Sequence, residues 1–227
     1  MIEQLKTFLD TLAITFDFPI LEFIRNNIKA TLPFLDNVMP YISLFGEWGA
    51  FWIAVAAILL LFRKTRKTGL SMGVAMLLGV IICNVILKRA VVRPRPFDYY
   101  ALPEVIARIR EAGVPILNDG FPKSSSEAGW IVSSSDFSFP SGHTICCFEA
   151  ATVLMIKNKW AGIPAMILAF LVAFSRLYLY VHYPTDVIFS MFAGILLGLL
   201  GCAIVAIIYK VRPPKRGKYE RVNQQAS

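Results

Sequence analysis

The residues best suited to chemistry lie in the stretch Ser175-Arg176-Leu177-Tyr178-Leu179-Tyr180-Val181-His182-Tyr183-Pro184-Thr185-Asp186. It places a cation, an imidazole and a carboxylate at the junction of two long apolar runs. Charged groups at the edge of a bilayer segment are costly to desolvate and usually have a task there. His182 and Asp186 are four residues apart, and Pro184 between them suits the first turn of a helix. An aspartate in that turn reaches back to the imidazole just outside it. There it fixes the tautomer and raises the nucleophilicity of the other ring nitrogen. Arg176 is a permanent cation with a planar fork of donors, suited to a phosphate. Read alone, the stretch serves equally well as a snorkelling arginine and an interfacial histidine.

Two further clusters change that balance. One is Lys88 with Arg95-Pro96; the other is Pro140-Ser141-Gly142-His143 at the start of an apolar run. Gly142 lets the backbone approach a ligand closely, and the helix that follows presents free N–H groups and a positive dipole end. A phosphate fits among Lys88, Arg95, Arg176, the Ser141 hydroxyl and those backbone donors. His143 and His182 are the only histidines in the chain. Phosphoester hydrolysis needs a nucleophile on phosphorus and an acid on the leaving oxygen. His182, backed by Asp186, suits the first role. His143 suits the second and would later activate the water that breaks the phosphoenzyme. The carboxylates are not clustered for magnesium, and Cys146-Cys147 has no spaced partners for zinc. The expected site therefore uses no metal and no cofactor.

The elements that must position these groups are membrane helices. The chain has 227 residues, of which 56% are hydrophobic, and a mean hydropathy of +0.60. That is too apolar for a soluble domain, and one compact all-α polytopic membrane bundle accounts for the length. Five spans are expected: Tyr41–Phe62, Gly69–Leu87, His143–Ile156, Trp160–Ser175 and Thr185–Tyr209. Residues 1–38 carry Leu5, Phe8, Leu9, Leu12 and Phe16 at helical spacing, with Glu3, Lys6, Asp10 and Asp17 between them on the polar side. They read as an amphipathic helix lying in the interface; a sixth span there is the alternative. Residues 39–209 form the membrane domain, and residues 210–227 a basic tail. The net charge of +8 is not a nucleic-acid signal, because the cations sit in short flanks and are not interleaved with aromatics. The four cysteines fall in apolar runs and read as small buried hydrophobes.

Charge sets the orientation. Arg63–Lys67, Lys157–Lys159 and the tail fall on one side of a five-span frame, which the positive-inside rule makes cytoplasmic. Lys88–Arg95, Ser141–His143 and Arg176–Asp186 then meet on the other face. Four cations at positions 88, 89, 93 and 95 on that face call for an anionic ligand.

Lys88-x6-Arg95-Pro96, Pro140-Ser141-Gly142-His143 and Ser175-Arg176-x5-His182-x3-Asp186, in this order, resemble the three-part signature of the type 2 phosphatidic acid phosphatase superfamily. The resemblance covers about residues 40–210. It implies a metal-independent phosphatase working through a phosphohistidine, with His182 as nucleophile, Asp186 as its partner and His143 as general acid. It also implies that Lys88, Arg95, Ser141, Gly142 and Arg176 bind the phosphate. The expected substrate is a lipid phosphate or diphosphate: undecaprenyl diphosphate slightly ahead of phosphatidylglycerophosphate and phosphatidic acid. The compact length resembles bacterial members, with the site on the outer face of the plasma membrane. The rivals are a vanadate haloperoxidase and a non-enzymatic lipid-phosphate binder or transporter; neither histidine would be needed by the binder.

Other polar residues are read as accessory. Arg93 reads equally as added charge and as a solvated cation. Glu47 reads as a headgroup-level residue, with Trp48 and Trp52 as interface anchors. Glu149, six positions past His143, reads as an interhelical hydrogen-bonding group. Tyr99, Tyr100, Trp130 and a short helix at Leu102–Ala112 are placed to shape a lipid entrance. The oligomeric state is not readable from the sequence.

Overall fold

A computed structural model describes residues 4, 8, 9, 11–99 and 137–211. Among these the chain is all-helical, as apolar runs in hydrocarbon require: each backbone N–H and C=O must be satisfied within its own segment. Helix α1 covers residues 13–29 and contains two π-helical turns, Ala13–Asp17 and Ile24–Lys29. Helix α2 is Leu35–Leu44 and α3 is Ala50–Leu61. Helix α4 covers Arg66–Val91, with a π-helical stretch at Val80–Leu87. The short α5 is Pro96–Tyr99, followed by α6 (Gly142–Lys157), α7 (Lys159–Tyr178) and α8 (Pro184–Val211).

Among the described residues, four helical stretches are long and apolar enough to cross a membrane: Leu35–Leu61, Arg66–Val91, Lys159–Tyr178 and Pro184–Lys210. The first begins at Leu35, ahead of the expected Tyr41, and is bent between α2 and α3. The remaining expected span corresponds to α6, which has 16 residues. Helix α6 is the centre of the bundle, packed against α4, α7 and α8. It is buried on all sides: Thr144, Ile145 and every residue from Cys147 to Leu154 are hidden. Small side chains on and around it allow this. Gly194 and Gly198 of α8 bring that helix's backbone onto α6, the small-residue contact by which membrane helices pack closely. A Cβ on Gly198 would lie 2.8 Å from Thr152 Cβ and 2.9 Å from Glu149 O. Gly198→Val should therefore destabilise the bundle by about 1–3 kcal/mol, read as a lower melting temperature in detergent. Gly73→Ala, whose Cβ would meet nothing within 4 Å, should leave it unchanged; equal effects would place the α6–α8 contact elsewhere.

Three sequence expectations are corrected here. Trp52 is not an interface anchor but a core residue, 2% exposed, with its Nε1 donating to Cys147 Sγ at 3.2 Å; Trp48, at 85%, is open. Among the described residues, the buried face of the N-terminal helix shares only Leu9 with the expected stripe. Leu9, Ala13, Ile14, Asp17, Phe18, Leu21 and Ile24 are buried, whereas Phe8 and Phe16 face outward. The side with a charged residue is the one docked on the bundle. Glu149 packs against the backbone of Gly79, and its Oε1 has no hydrogen-bond partner among the described residues; the expected interhelical hydrogen bond is not made by that atom. Tyr100, Trp130 and Leu102–Ala112 lie outside the described residues.

Candidate functional site

Helices α4, α6, α7 and α8 run alternately up and down, so the end of α4, the start of α6, the end of α7 and the start of α8 share one end of the bundle. Every predicted site residue lies there. Helix α7 stops at a left-handed residue, Tyr180 (φ 61°), and the N–H groups of Tyr180 and Val181 bond back to Leu177 O (3.0 Å) and Arg176 O (3.1 Å). A tyrosine in this region is strained and persists only where its surroundings hold it. The turn carries His182, 2% exposed, to within reach of Asp186 in the first turn of α8.

The two ring nitrogens of His182 have different neighbours. Nδ1 lies 3.7 Å from Asp186 Oδ2, an ion-pair separation slightly too long for a hydrogen bond. Nε2 lies 3.5 Å from Arg95 Nη1, which also donates to Val181 O at 2.8 Å. Burial, together with the charges of Arg95 and Arg176, holds the imidazole well below its usual pKa, although contact with Asp186 opposes this. His182 is therefore a neutral imidazole at pH 7.

Asp186 is wholly buried and held from several sides. Arg93 Nη1 donates to Oδ1 at 2.5 Å; the Ser138 hydroxyl and the Tyr183 N–H (3.1 Å) donate to Oδ2. Arg93 is thus no solvated cation: it is 4% exposed, and its guanidinium lies 3.8 Å from the centroid of the Tyr183 ring. Its Nη2 donates to Asp17 Oδ2 at 2.8 Å and to Leu9 O at 3.2 Å. Burial raises the Asp17 carboxyl above its usual pKa, while Arg93 and two donors from Thr185 pull it back.

The second half of the site opens α6. Ser141 is wholly buried; its N–H is taken by Ser190 Oγ at 2.8 Å, and its hydroxyl lies 3.0 Å from Thr144 Oγ1. What Ser141 can offer a ligand is therefore the hydroxyl. Gly142 faces Asn84 of α4, whose Oδ1 lies 3.2 Å from the position of a Cβ on that glycine. Lys88, half-buried, stands about one turn further along α4. His143 Nε2 lies 2.9 Å from Glu47 Oε2, so Glu47 is not merely a headgroup-level residue. Two consecutive left-handed residues, Trp48 (φ 51°) and Gly49 (φ 66°), form the turn that brings Glu47 there. The turn is pressed close: a Cβ on Gly46 would sit 2.9 Å from His143 Cβ. Arg176, 1% exposed, donates from Nη1 to Ser43 Oγ at the end of α2. The charges of Arg95 and Arg176 act on both histidines, so the two cations and the two rings belong to one site.

The arrangement gathers two arginines and two histidines at one end of the bundle, with Asp186 beside His182 and Glu47 beside His143. Its cationic character suits an anionic ligand. The PAP2 superfamily model matches residues 68–211. The chain belongs to the PAP2 superfamily. It is a hydrolase of that superfamily, a multi-pass membrane lipid phosphatase. An undecaprenyl-diphosphatase of Sulfolobus acidocaldarius is 32% identical over 186 residues, 82% of this chain and 74% of that protein. Undecaprenyl-diphosphatase BcrC of Bacillus subtilis is 26% identical over 73% of this chain and 72% of its own length. Among solved structures, Aquifex aeolicus LpxE superposes with a TM-score of 0.59 at 23% identity, over 82% of this chain and 93% of that one. A transmembrane PAP2 type phosphatidylglycerolphosphate phosphatase from Bacillus subtilis superposes with a TM-score of 0.50 at 26% identity, over 88% and 95%.

Sequence reasoning left Arg93 undecided, gave Glu47 a passive place and assigned Asp17 to the polar face of a surface helix. The Arg-Pro-Arg-Pro repeat was the one signal for Arg93. Nothing in the spacing of Glu47 or Asp17 links them to the PAP2 motifs, since both lie outside residues 68–211.

Proposed function

We propose that this PAP2 enzyme hydrolyses a polyprenyl diphosphate, undecaprenyl diphosphate first, by a phosphohistidine mechanism that uses no metal. The observation that carries the mechanism is the orientation of His182: Nδ1 turned to Asp186 and Nε2 to Arg95. The Nε2 lone pair attacks phosphorus; the N–P bond forms as the bond from phosphorus to the leaving oxygen breaks. Lys88, Arg95, Arg176, the Ser141 hydroxyl and the first-turn N–H groups of α6, with Gly142 giving the approach, hold the phosphoryl oxygens. Glu47 accepts from Nε2–H of His143 and supports a doubly protonated ring; the Nδ1–H passes its proton to the leaving oxygen and leaves a neutral imidazole. In the second half His143 takes a proton from water, the water oxygen attacks phosphorus, and the N–P bond breaks to release inorganic phosphate. Asp186 supports the charge that develops on the His182 ring.

The diphosphate reading is supported by the two relatives named undecaprenyl-diphosphatase. The phosphatidylglycerolphosphate phosphatase among the solved structures supports a second substrate. Cationic loops at Arg63–Lys67 and Lys157–Lys159 lie at the end of the bundle opposite the site. By the positive-inside rule the site then faces away from the cytoplasm, where a bacterial cell would recycle envelope lipids. The test is phosphate release by the purified protein in detergent with EDTA, offered undecaprenyl diphosphate, phosphatidylglycerophosphate and phosphatidic acid in parallel. Release that survives EDTA, fastest on the diphosphate, is expected. A requirement for magnesium would overturn the mechanism, and a higher rate on phosphatidylglycerophosphate would overturn the substrate order.

A further inference from the structure

Among the buried charges that the catalytic scheme leaves unused, one set adjoins the site. Asp17 is 0% exposed, yet it belongs to α1, outside the residues that the PAP2 model matches. Its Oδ1 accepts the Thr185 N–H at 2.8 Å, and its Oδ2 accepts the Thr185 hydroxyl at 2.8 Å and Arg93 Nη2 at 2.8 Å. Thr185 is the second residue of α8. A helix start has backbone N–H groups with no partner inside the helix, and a carboxylate placed there stabilises them and the dipole. Asp17 does this from a different part of the chain. The helix so capped is the one that carries Asp186.

Arg93 completes the link. One of its terminal nitrogens, Nη2, faces Asp17; the other donates to Asp186 Oδ1 at 2.5 Å and to Thr185 Oγ1 at 2.8 Å. The result is a carboxylate–guanidinium–carboxylate row, closed off from water, with a net charge of −1. We propose that Asp17 is a positioning residue for phosphoryl transfer: through Arg93 and the start of α8 it fixes the direction and the effective charge of Asp186, and so the basicity of His182. The proposal rests on His182 being the nucleophile. Arg95 and Arg176 are the cations that act most strongly on His182, and Asp186 is the carboxylate beside it. Asp17 bears on the ring through Arg93, the cation it shares with Asp186. Without Asp17, the Arg93 charge falls on Asp186 alone, the row becomes neutral, and the imidazole becomes a weaker base and nucleophile. A plain brace between α1 and α8 would give none of these electrical effects.

The pH dependence of kcat on undecaprenyl diphosphate separates the two. Asp17→Asn, Arg93→Gln and the double variant change the row from −1 to 0, −2 and −1. Asp17→Asn should lower kcat by about 10- to 100-fold with KM changed less than about threefold. Its acid limb should move to lower pH by about half a unit. Arg93→Gln should move the limb to higher pH, and the double variant should bring it back towards the wild-type position. Limbs that stay in place while the active fraction falls would overturn the proposal in favour of a brace. Should Asp17→Asn fail to accumulate, Arg93→Gln against the double variant carries the same test: the limb must lie lower in the double. His182→Ala, run alongside, keeps the failures apart. Turnover surviving in that variant overturns the nucleophile itself; an inactive His182→Ala with an unmoved limb in the others overturns the role of Asp17 alone.

Discussion

His182→Gln should reduce phosphate release by at least about 10³-fold, with substrate binding nearly intact. Glutamine keeps the size and a polar group beside Arg95 but has no lone pair able to form a stable N–P bond. Lys88, Arg95, Arg176 and the helix start, the groups proposed to hold the phosphate, are untouched, so a lipid phosphate should still bind and compete. The decisive measurement uses substrate carrying ³²P at the terminal phosphate, quenched in alkali, where a phosphohistidine survives. The wild type should retain label on protein during turnover, and the glutamine variant should retain none. Label on the variant, or rapid turnover without it, would mean that another group attacks phosphorus. The neutral state of the buried ring predicts, in addition, that the lone pair stays available below the usual histidine range, so the wild-type rate should persist into mildly acidic pH.

The second large effect belongs to His143, and it should depend on the leaving group. Phosphatidic acid expels an alkoxide, which needs a proton as the bond breaks; His143→Ala should slow that step by about 10²- to 10⁴-fold. Nitrophenyl phosphate expels a far weaker base and needs little help. With it, the variant should form the phosphoenzyme readily and then stall, because no group remains to activate water. The signature is a burst of nitrophenol equal to the enzyme present, followed by very slow release. Glu47→Gln should show the same pattern in weaker form, since the amide still reaches His143 Nε2 but no longer favours a charged ring. Equal losses on both substrates without a burst would remove His143 from the proton-transfer role.

The parts of this site legible in the sequence are those set by short spacing. His182 and Asp186 are four apart across a helix start, and Pro140–His143 marks another helix start; local geometry alone puts these groups where they are found. The apolar runs gave the helices for the same reason, since backbone satisfaction in hydrocarbon leaves no other choice. What the sequence could not show is which distant residues lie behind each histidine. Glu47 reaches His143 through a turn with two left-handed residues, one of them a tryptophan that no propensity would place there. Asp17 was read as polar surface because an aspartate on a helix is usually solvated. It becomes core only because Arg93 arrives from 76 residues away to meet it. The rotation of α1 follows from that pairing, which outweighs the burial of Phe8 and Phe16; at a membrane surface those rings lose little by facing outward.

The row of charges joining Asp17, Arg93 and Asp186 also bears on how the protein is made. Synthesis delivers Asp17 first, then Arg93, and Asp186 only with the last helix. Until α8 enters the membrane, Asp17 has no helix start to cap and Arg93 lacks one of its two carboxylates. A chain that stops short of α8 thus leaves Arg93 and Asp17 with part of their hydrogen-bonding capacity unfilled. Assembly of the hydrolytic centre and completion of the fold become one event.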